Sequence, residues 1–371
     1  MDSNKKKKIL HVSYGGLGNG GVTSVIISIF SSLYQKYDFG CITFPGEGRA
    51  TREHIVRQYS KIYSVNCYGK NGLMKLIELI KRPFVMYRSV KKICKEENYD
   101  VIHCHNGMDM FYCLLAAKHA GVTKRIAHSH NSPSPKKPPF YKKIVFVLQN
   151  YLINKLCTHR VGCSKLACEA MFNAYPYRVI FNSINSSDYP WNRTQHEGLE
   201  IIHVGRYDYQ KNQLFILDVV NILKKSIKDL HVQLFGFGTD EEKLLNRINS
   251  LNLGNIVELK DGKKSNIPEA FAKSDIMIFP SVYEGFGIVL IEAQSSGCYC
   301  FVSDVVPSDT NIGMMEQLSL SLGAEQWANR IVNYWLHTPK NLLEKFDNVN
   351  KNIQKFDNNT ISKQYISLYE E

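Results

Sequence analysis

Along nearly the whole chain, short apolar runs alternate with stretches in which apolar residues recur every three to four positions. Lys8–Ser13, Phe39–Phe44 and Val101–His105 read as buried strands, and Val22–Lys36, Leu73–Lys81 and Phe84–Glu97 have helical spacing. Around residues 182–200 the pattern dissolves into a polar, turn-rich stretch. It then restarts with strands at Leu199–Val204, His231–Phe235 and Ile276–Pro280 and helices over Gln213–Lys225 and Asp240–Leu251. Such alternation predicts parallel sheets with crossover helices, here as two doubly wound, Rossmann-like α/β domains. The expected bounds are 1–185 for the first, 186–198 for a linker and 199–350 for the second. A Lys- and Asn-rich tail from about Pro339, carrying Phe346, Phe356, Tyr365 and Tyr369, is expected to pack as helices.

The length of 371 residues suits two domains. No apolar run reaches the length of a membrane-spanning helix, and no apolar stretch follows Lys5–Lys8 as a secretory signal requires. The ten cysteines stand singly apart from Cys298-Tyr-Cys300, which points to reduced thiols in a cytoplasm and away from disulfides or structural zinc. A net charge of +12 favours an anionic partner: nucleic acid, a phosphorylated small molecule or an anionic membrane surface. No zinc-finger, RNP-type or basic-region pattern accompanies that charge, so no nucleic acid is expected.

Ligands of parallel sheets sit at the carboxyl ends of the strands, so motifs there carry the functional weight. Gly15–Gly21 follows a strand and opens a helix. Its glycines permit close backbone approach, and the helix start offers free N–H groups to a phosphate. The dinucleotide reading of this loop wants an acidic residue ending the second strand, where Thr43-Phe44-Pro45 stands instead. His103-Cys-His105 and His128-Ser-His130-Asn131 place two pairs of histidines on neighbouring strand ends. Metal binding, satisfied core histidines and substrate binding all fit that pattern. Arg206 and Lys211 lie five residues apart after a strand, an arrangement suited to a diphosphate. In Glu284-Gly-Phe-Gly-Ile-Val-Leu-Ile-Glu292 one acid precedes a helix start at Gly287 and the other lies inside the helix. Two carboxylates with phosphate-binding N–H groups between them describe a sugar nucleotide.

Taken together these residues resemble the GT4-type retaining glycosyltransferases of the GT-B fold, over roughly residues 8–335. Arg125–Asn131 and Ser303–Pro307 look most like enzymes of bacterial capsular or exopolysaccharide synthesis. The resemblance implies two Rossmann-like domains facing a central cleft, with residues 351–371 crossing back as a last helix anchored by Tyr365 and Tyr369. It implies that Arg206 and Lys211 hold the donor diphosphate, Glu292 the ribose and Glu284 the donor sugar. Phe286, Gly287 and Ile288 would line phosphates and sugar, and Gly18, Gly20 and Gly21 would approach from the first domain. His105, on the loop after its strand, matches a histidine near the reacting sugar. His128, His130 and Asn131 are candidates on the acceptor side. The implied reaction moves a hexose from a nucleotide-sugar, UDP-linked by preference, to a glycan acceptor carried on a polyprenyl lipid. Neither a cofactor nor a metal is called for.

Lys136-Lys-Pro-Pro-Phe-Tyr-Lys-Lys143 followed by Ile144–Leu148 is basic, aromatic and then apolar. It suits contact with an anionic membrane from the cytoplasmic side. Two other classes stay open on the residues alone: a non-catalytic GT-B partner subunit, and an NAD-dependent oxidoreductase or epimerase.

Overall fold

Alternate residues of the buried strands serve two different cores, and that period of two builds both layers of each unit. The computed structural model describes residues 6–44, 50–66, 72–132, 135, 139–191, 197–263, 265–337 and 343–371. The chain divides into two units. One gathers Met1–Ser132, Lys136–Ser183 and Asn358–Glu371, and the other Ile184–Asp357 with the short piece Pro133–Pro135.

The first unit holds seven parallel strands: β1 (Lys8–Ser13), β2 (Asp38–Thr43), β3 (Ser60–Ser64), β4 (Val101–His105), β5 (Lys124–Ser129), β6 (His159–Gly162) and β7 (Arg178–Val179). Their order is β3-β2-β1-β4-β5-β6-β7, so the sheet reverses direction of winding between β1 and β4. Leu10, Val12, Ile102 and Cys104 point to one face and pack with Met86, Val90 and Leu114. Ile9, Val101, Ile126 and Val161 point to the other, against Val25, Ile26 and Phe30 of the Gly21–Leu33 helix. The C-terminal helix Asn358–Glu370 joins that second layer through Ile361, Tyr365, Leu368 and Tyr369.

The second unit has six parallel strands: β8 (Leu199–Val204), β9 (Leu230–Gly236), β10 (Val257–Asp261), β11 (Ile276–Phe279), β12 (Tyr299–Ser303) and β13 (Met315–Leu318). They are ordered β10-β9-β8-β11-β12-β13, with the reversal between β8 and β11.

Several bounds differ from the sequence reading. The strands β3, β6, β7, β10, β12 and β13 were not anticipated: β3, β7, β10 and β13 are sheet edges with partly exposed residues and no apolar run, β6 is only four residues long, and β12 is an interior strand whose apolar run the reading passed over. Residues 72–97 form one helix through Pro83 rather than two, because a proline removes a single ladder bond without always ending the helix. The second unit begins at Ile184, whose N–H bonds Phe356 O at 3.0 Å, and Ser186–Asp188 is a 3₁₀ turn within it. Of the expected linker, residues 192–196 lie outside the described residues. At the other end only residues from Asn358 onward join the first unit, not those from 351. Ile353 and Phe356 are buried in the second, where Phe356 meets Phe286 edge-on at 5.8 Å.

Candidate functional site

In each unit the candidate residues collect at the strand ends where the sheet reverses, which is where a parallel sheet leaves a crevice for a ligand.

In the second unit, β8 leads into Gly205-Arg206-Tyr207 and β11 into Pro280–Gly287. The first loop is held from beneath. A Cβ on Gly236 would stand 2.1 Å from Gly205 O, so the end of β9 must be bare for the turn to pack. Gln213 Nε2 donates to Arg206 O at 2.7 Å and to His203 Nε2 at 3.2 Å, while His203 Nδ1–H donates to Ile278 O at 2.9 Å. Burial drives His203 down to about 3, so the ring stays neutral and can both give and accept. The two loops are then stitched together. Val282 N–H donates to Gln210 O at 2.8 Å, Gln210 Nε2 to Tyr283 O at 3.1 Å, and Asn212 Nδ2 to Pro280 O at 3.2 Å.

On this frame Lys211 Nζ sits 2.5 Å from Glu284 Oε2 and 4.3 Å over the Phe279 ring, with both charged side chains mostly buried. Ser281 Oγ donates to the same carboxylate oxygen at 3.4 Å. Arg206 is exposed and reaches Asp208 at 3.0 Å and Gln210 Oε1 at 3.2 Å. Phe286 is buried. Gly287 adopts the left-handed region, φ 85°, to turn the chain into the Ile288–Ser295 helix. No side chain caps that helix start and no acid stands in its first turn, so its N–H groups carry an uncompensated positive field. Glu292 lies one turn further on. Burial and the Asp188 charge push its carboxyl up to about 7, against a hydrogen bond from Tyr189. The structure thus brings Arg206, Lys211, Glu284, Phe286, Gly287, Ile288 and Glu292 to the ends of two adjacent strands.

In the first unit, Ser13 Oγ donates to Gly16 O at 2.9 Å and Gly16 takes φ 76°, folding the glycine loop back over the end of β1. Gly18 lies in this loop, Gly20 precedes the helix and Gly21 opens it. A Cβ on Gly20 or Gly21 would meet nothing within 4 Å. Internal packing therefore does not require these two glycines.

The histidines are placed differently from the expectation. His105 is the last residue of β4, not part of the following loop. It is buried with both ring nitrogens engaged, by His11 Nδ1 and His130 Nε2, each at 2.9 Å. A strand-end residue facing the inner layer has no open side. His128 is buried in β5, His130 follows that strand, and Asn131 is exposed. Register makes the cluster: His11 lies beside His103, and His105 beside His128. Two sets of three, His11/His103/His105 and His105/His128/His130, have ligand nitrogens within 4.8 Å of one another. Sequence reading missed His11 and the hydroxyl of Tyr369. A histidine at the inward phase of the first strand was the available signal for the former, and Tyr369 was singled out only as an anchor of the last helix. Nine described cysteines are buried thiols outside any disulfide.

A family model described as Glycosyltransferase Family 4 matches residues 19–188, and one described as Glycosyl transferases group 1 matches residues 190–353. The two models together span residues 19–353, and the chain is a GT4-type glycosyltransferase. This glycosyltransferase is 27% identical to the capsular polysaccharide biosynthesis glycosyltransferase CapH of Staphylococcus aureus, over 98% of each chain. It is 24% identical, over 78% of each chain, to a Campylobacter jejuni enzyme. That enzyme's name is N-acetylgalactosamine-N,N'-diacetylbacillosaminyl-diphospho-undecaprenol 4-alpha-N-acetylgalactosaminyltransferase. Among solved structures, Anabaena HepE in complex with UDP and glucose superposes with a TM-score of 0.79 at 17% identity, covering 98% of this chain and all of that one. The glycosyltransferase described here therefore has the GT-B fold.

Proposed function

We propose that this glycosyltransferase moves a hexose from a UDP-sugar to a polyprenyl-diphosphate-linked glycan during cell-surface polysaccharide synthesis, with retention at the anomeric carbon and without a metal. The observation that carries the reading is the convergence of Lys211, Arg206 and the uncapped Gly287 helix start beside two carboxylates, Glu284 and Glu292. Breaking the glycosidic bond builds negative charge on the departing diphosphate. Preorganised cations and N–H dipoles stabilise that charge without a metal ion. In this reading Lys211 and Arg206 take the diphosphate oxygens, and the helix N–H groups of Gly287 and Ile288 complete the cradle. Glu284, already held against Lys211, contacts the donor sugar, and Glu292 accepts hydrogen bonds from the ribose. Phe286 lines the sugar side through its backbone. The glycine loop of the first unit, through Gly18, Gly20 and Gly21, offers close backbone approach to a phosphate or to the acceptor. The relatives and structural neighbour support the rest of the proposal: a capsule, a diphospho-undecaprenol acceptor, a bound UDP.

A lipid-borne acceptor calls for a membrane surface. No helix among the described residues is long and apolar enough to cross one. The Phe140–Leu156 helix, however, exposes Phe140, Tyr141, Ile144, Val145, Val147, Leu148 and Tyr151. At 100° per residue these fall in one arc, while Lys142, Lys143, Gln149 and Asn150, together with the exposed Phe146, share the opposite one. An apolar stripe flanked by lysines lies naturally in the interface of an anionic bilayer. Lys136, Lys137 and Pro138 lie outside the described residues. The enzyme would then work on the cytoplasmic face.

A thermal-shift screen with UDP, GDP, ADP and NAD, each with and without magnesium, tests the donor assignment. A magnesium-independent rise in Tm with UDP, lost in Lys211→Ala, is the expected result. A rise with NAD alone overturns it.

A further inference from the structure

Five buried histidines and one tyrosine in the first unit make a single unbranched series of hydrogen bonds. His130 Nε2 meets His105 Nδ1 at 2.9 Å, and His105 Nε2 meets His11 Nδ1 at 2.9 Å. His11 Nε2 meets the Tyr369 hydroxyl at 3.1 Å, which meets His103 Nδ1 at 2.9 Å. His103 Nε2 meets His128 Nδ1 at 3.1 Å, and there the series stops. His128 Nε2 is buried and has no partner among the described residues.

A neutral imidazole has one donor and one acceptor, and a hydroxyl gives one proton. Within His130–His105–His11 and within His103–His128 every ring therefore donates in the same direction; the tyrosine oxygen could accept from both runs only by leaving its own buried proton without an acceptor, so the two runs point the same way. All five histidines share one tautomer as a unit. Only the two ends distinguish the two directions. His130 is the one ring with appreciable exposure, at 8%, and solvent or a ligand can satisfy it in either state. The closed end at His128 decides. An unpartnered buried N–H is a rare and costly group, more so than an acceptor left idle.

We infer that this series fixes His11, His103, His105, His128 and His130 in the Nδ1–H tautomer, so that His130 presents a neutral Nδ1–H donor to a ligand oxygen at the end of β5. In the transferase reading, on which this last step rests, that oxygen belongs to the acceptor. His105 then acts as a positioning residue behind His130, and Tyr369 couples the C-terminal helix to the same task. No base is created: a ring whose Nε2 accepts from His105 and whose Nδ1 already carries its proton cannot take another without losing its neighbour.

The test is ring-nitrogen spectroscopy of the full chain labelled with ¹⁵N-histidine, which distinguishes Nδ1–H, Nε2–H, imidazolium and metal-bound rings. Five neutral Nδ1–H rings at pH 7, indifferent to chelator, are the expected result. Nε2–H or mixed tautomers within the series overturn the inference, as does a metal-ligated pattern that a chelator abolishes. A kinetic arm compares His130→Ala with His130→Asn, whose amide can place a donor near the Nδ1 position. The alanine variant is expected to lose about tenfold in kcat/KM for the acceptor, the weight of one neutral hydrogen bond, and asparagine to restore part of it. Equal losses in both overturn the donor role. If the wild-type protein shows no transferase activity, that reading alone fails, and the spectrum still decides the tautomer.

Discussion

Lys211 Nζ rests 2.5 Å from Glu284 Oε2 across the ends of β8 and β11, with the Phe279 ring beneath the ammonium. A mostly buried ammonium in such a place is held by its carboxylate until a second anion arrives. In the proposed donor site the pair would have two duties, one in the fold and one toward the donor. Lys211→Ala is expected to lower turnover by at least about 100-fold, the scale of removing one preorganised electrostatic group. Near-normal turnover in a radiolabelled-sugar assay would refute the assignment. Glu284→Gln is expected to cost stability too, roughly 1–3 kcal/mol by denaturant titration, because it leaves the ammonium without its counter-charge.

In its proposed donor role Glu292 would give the site a pH dependence. Its carboxyl is pushed up to about 7, so in the free protein it is half protonated near neutrality. Ribose hydroxyls bond more strongly to the ionised form, which dominates above that value. UDP affinity measured calorimetrically is therefore expected to rise with pH between about 6 and 8, and to become flat over that range in Glu292→Gln.

The histidine series sets a different pH window. Burial lowers His11 and His130 from 6.5 to about 3 and lowers His103, His105 and His128 well below their ordinary value. The unfolded chain therefore binds more protons than the folded one between pH 6.5 and 3. Stability is full above 6.5 and is lost as pH falls through that window, each ring contributing up to about 1.4 kcal/mol per pH unit. Chemical denaturation at pH 7.5, 6 and 5 reads this directly. A midpoint unchanged over that range would contradict the buried neutral cluster.

The glycines separate packing from ligand contact. Gly236→Ala is expected to destabilise by more than about 2 kcal/mol, since its Cβ would strike Gly205 O and the Tyr207 ring. Gly20→Ala has φ −91° and open space, so its melting temperature should match the wild type. A raised KM without a stability change in that variant would place a ligand against the loop, and an unchanged KM would remove Gly20 from the site.

Membrane contact rests on the exposed arc of the Phe140–Leu156 helix. Replacing Phe140, Ile144 and Val147 together by serine is expected to abolish co-sedimentation with vesicles rich in anionic lipid while leaving UDP binding intact. A wild-type protein that stays in the supernatant even at low salt would refute the membrane proposal.

Much of this was legible from the chain. Strand–helix alternation dictates parallel sheets, because a buried strand needs both faces covered and a crossover helix covers one. Most central strands declared themselves as apolar runs, although β12 was passed over. The edges did not, since their half-exposed residues carry no such run. Arg206, Lys211, Glu284 and Glu292 could be chosen by spacing, because residues within one strand-end loop or one helix turn stay close whatever the rest of the chain does. Their joining across β8 and β11 needed strand order, which separates Lys211 and Glu284 by 73 positions in sequence and 2.5 Å in space. The histidines show the limit most plainly. Sequence alone put His103, His105, His128 and His130 near strand ends. Only register set His11 beside His103, and only the packing of the last helix brought Tyr369, 266 residues further along the chain than His103, to close the series. Local chemistry follows from neighbours in the chain. A continuous hydrogen-bond path follows from neighbours in space, and those exist only after the fold has formed.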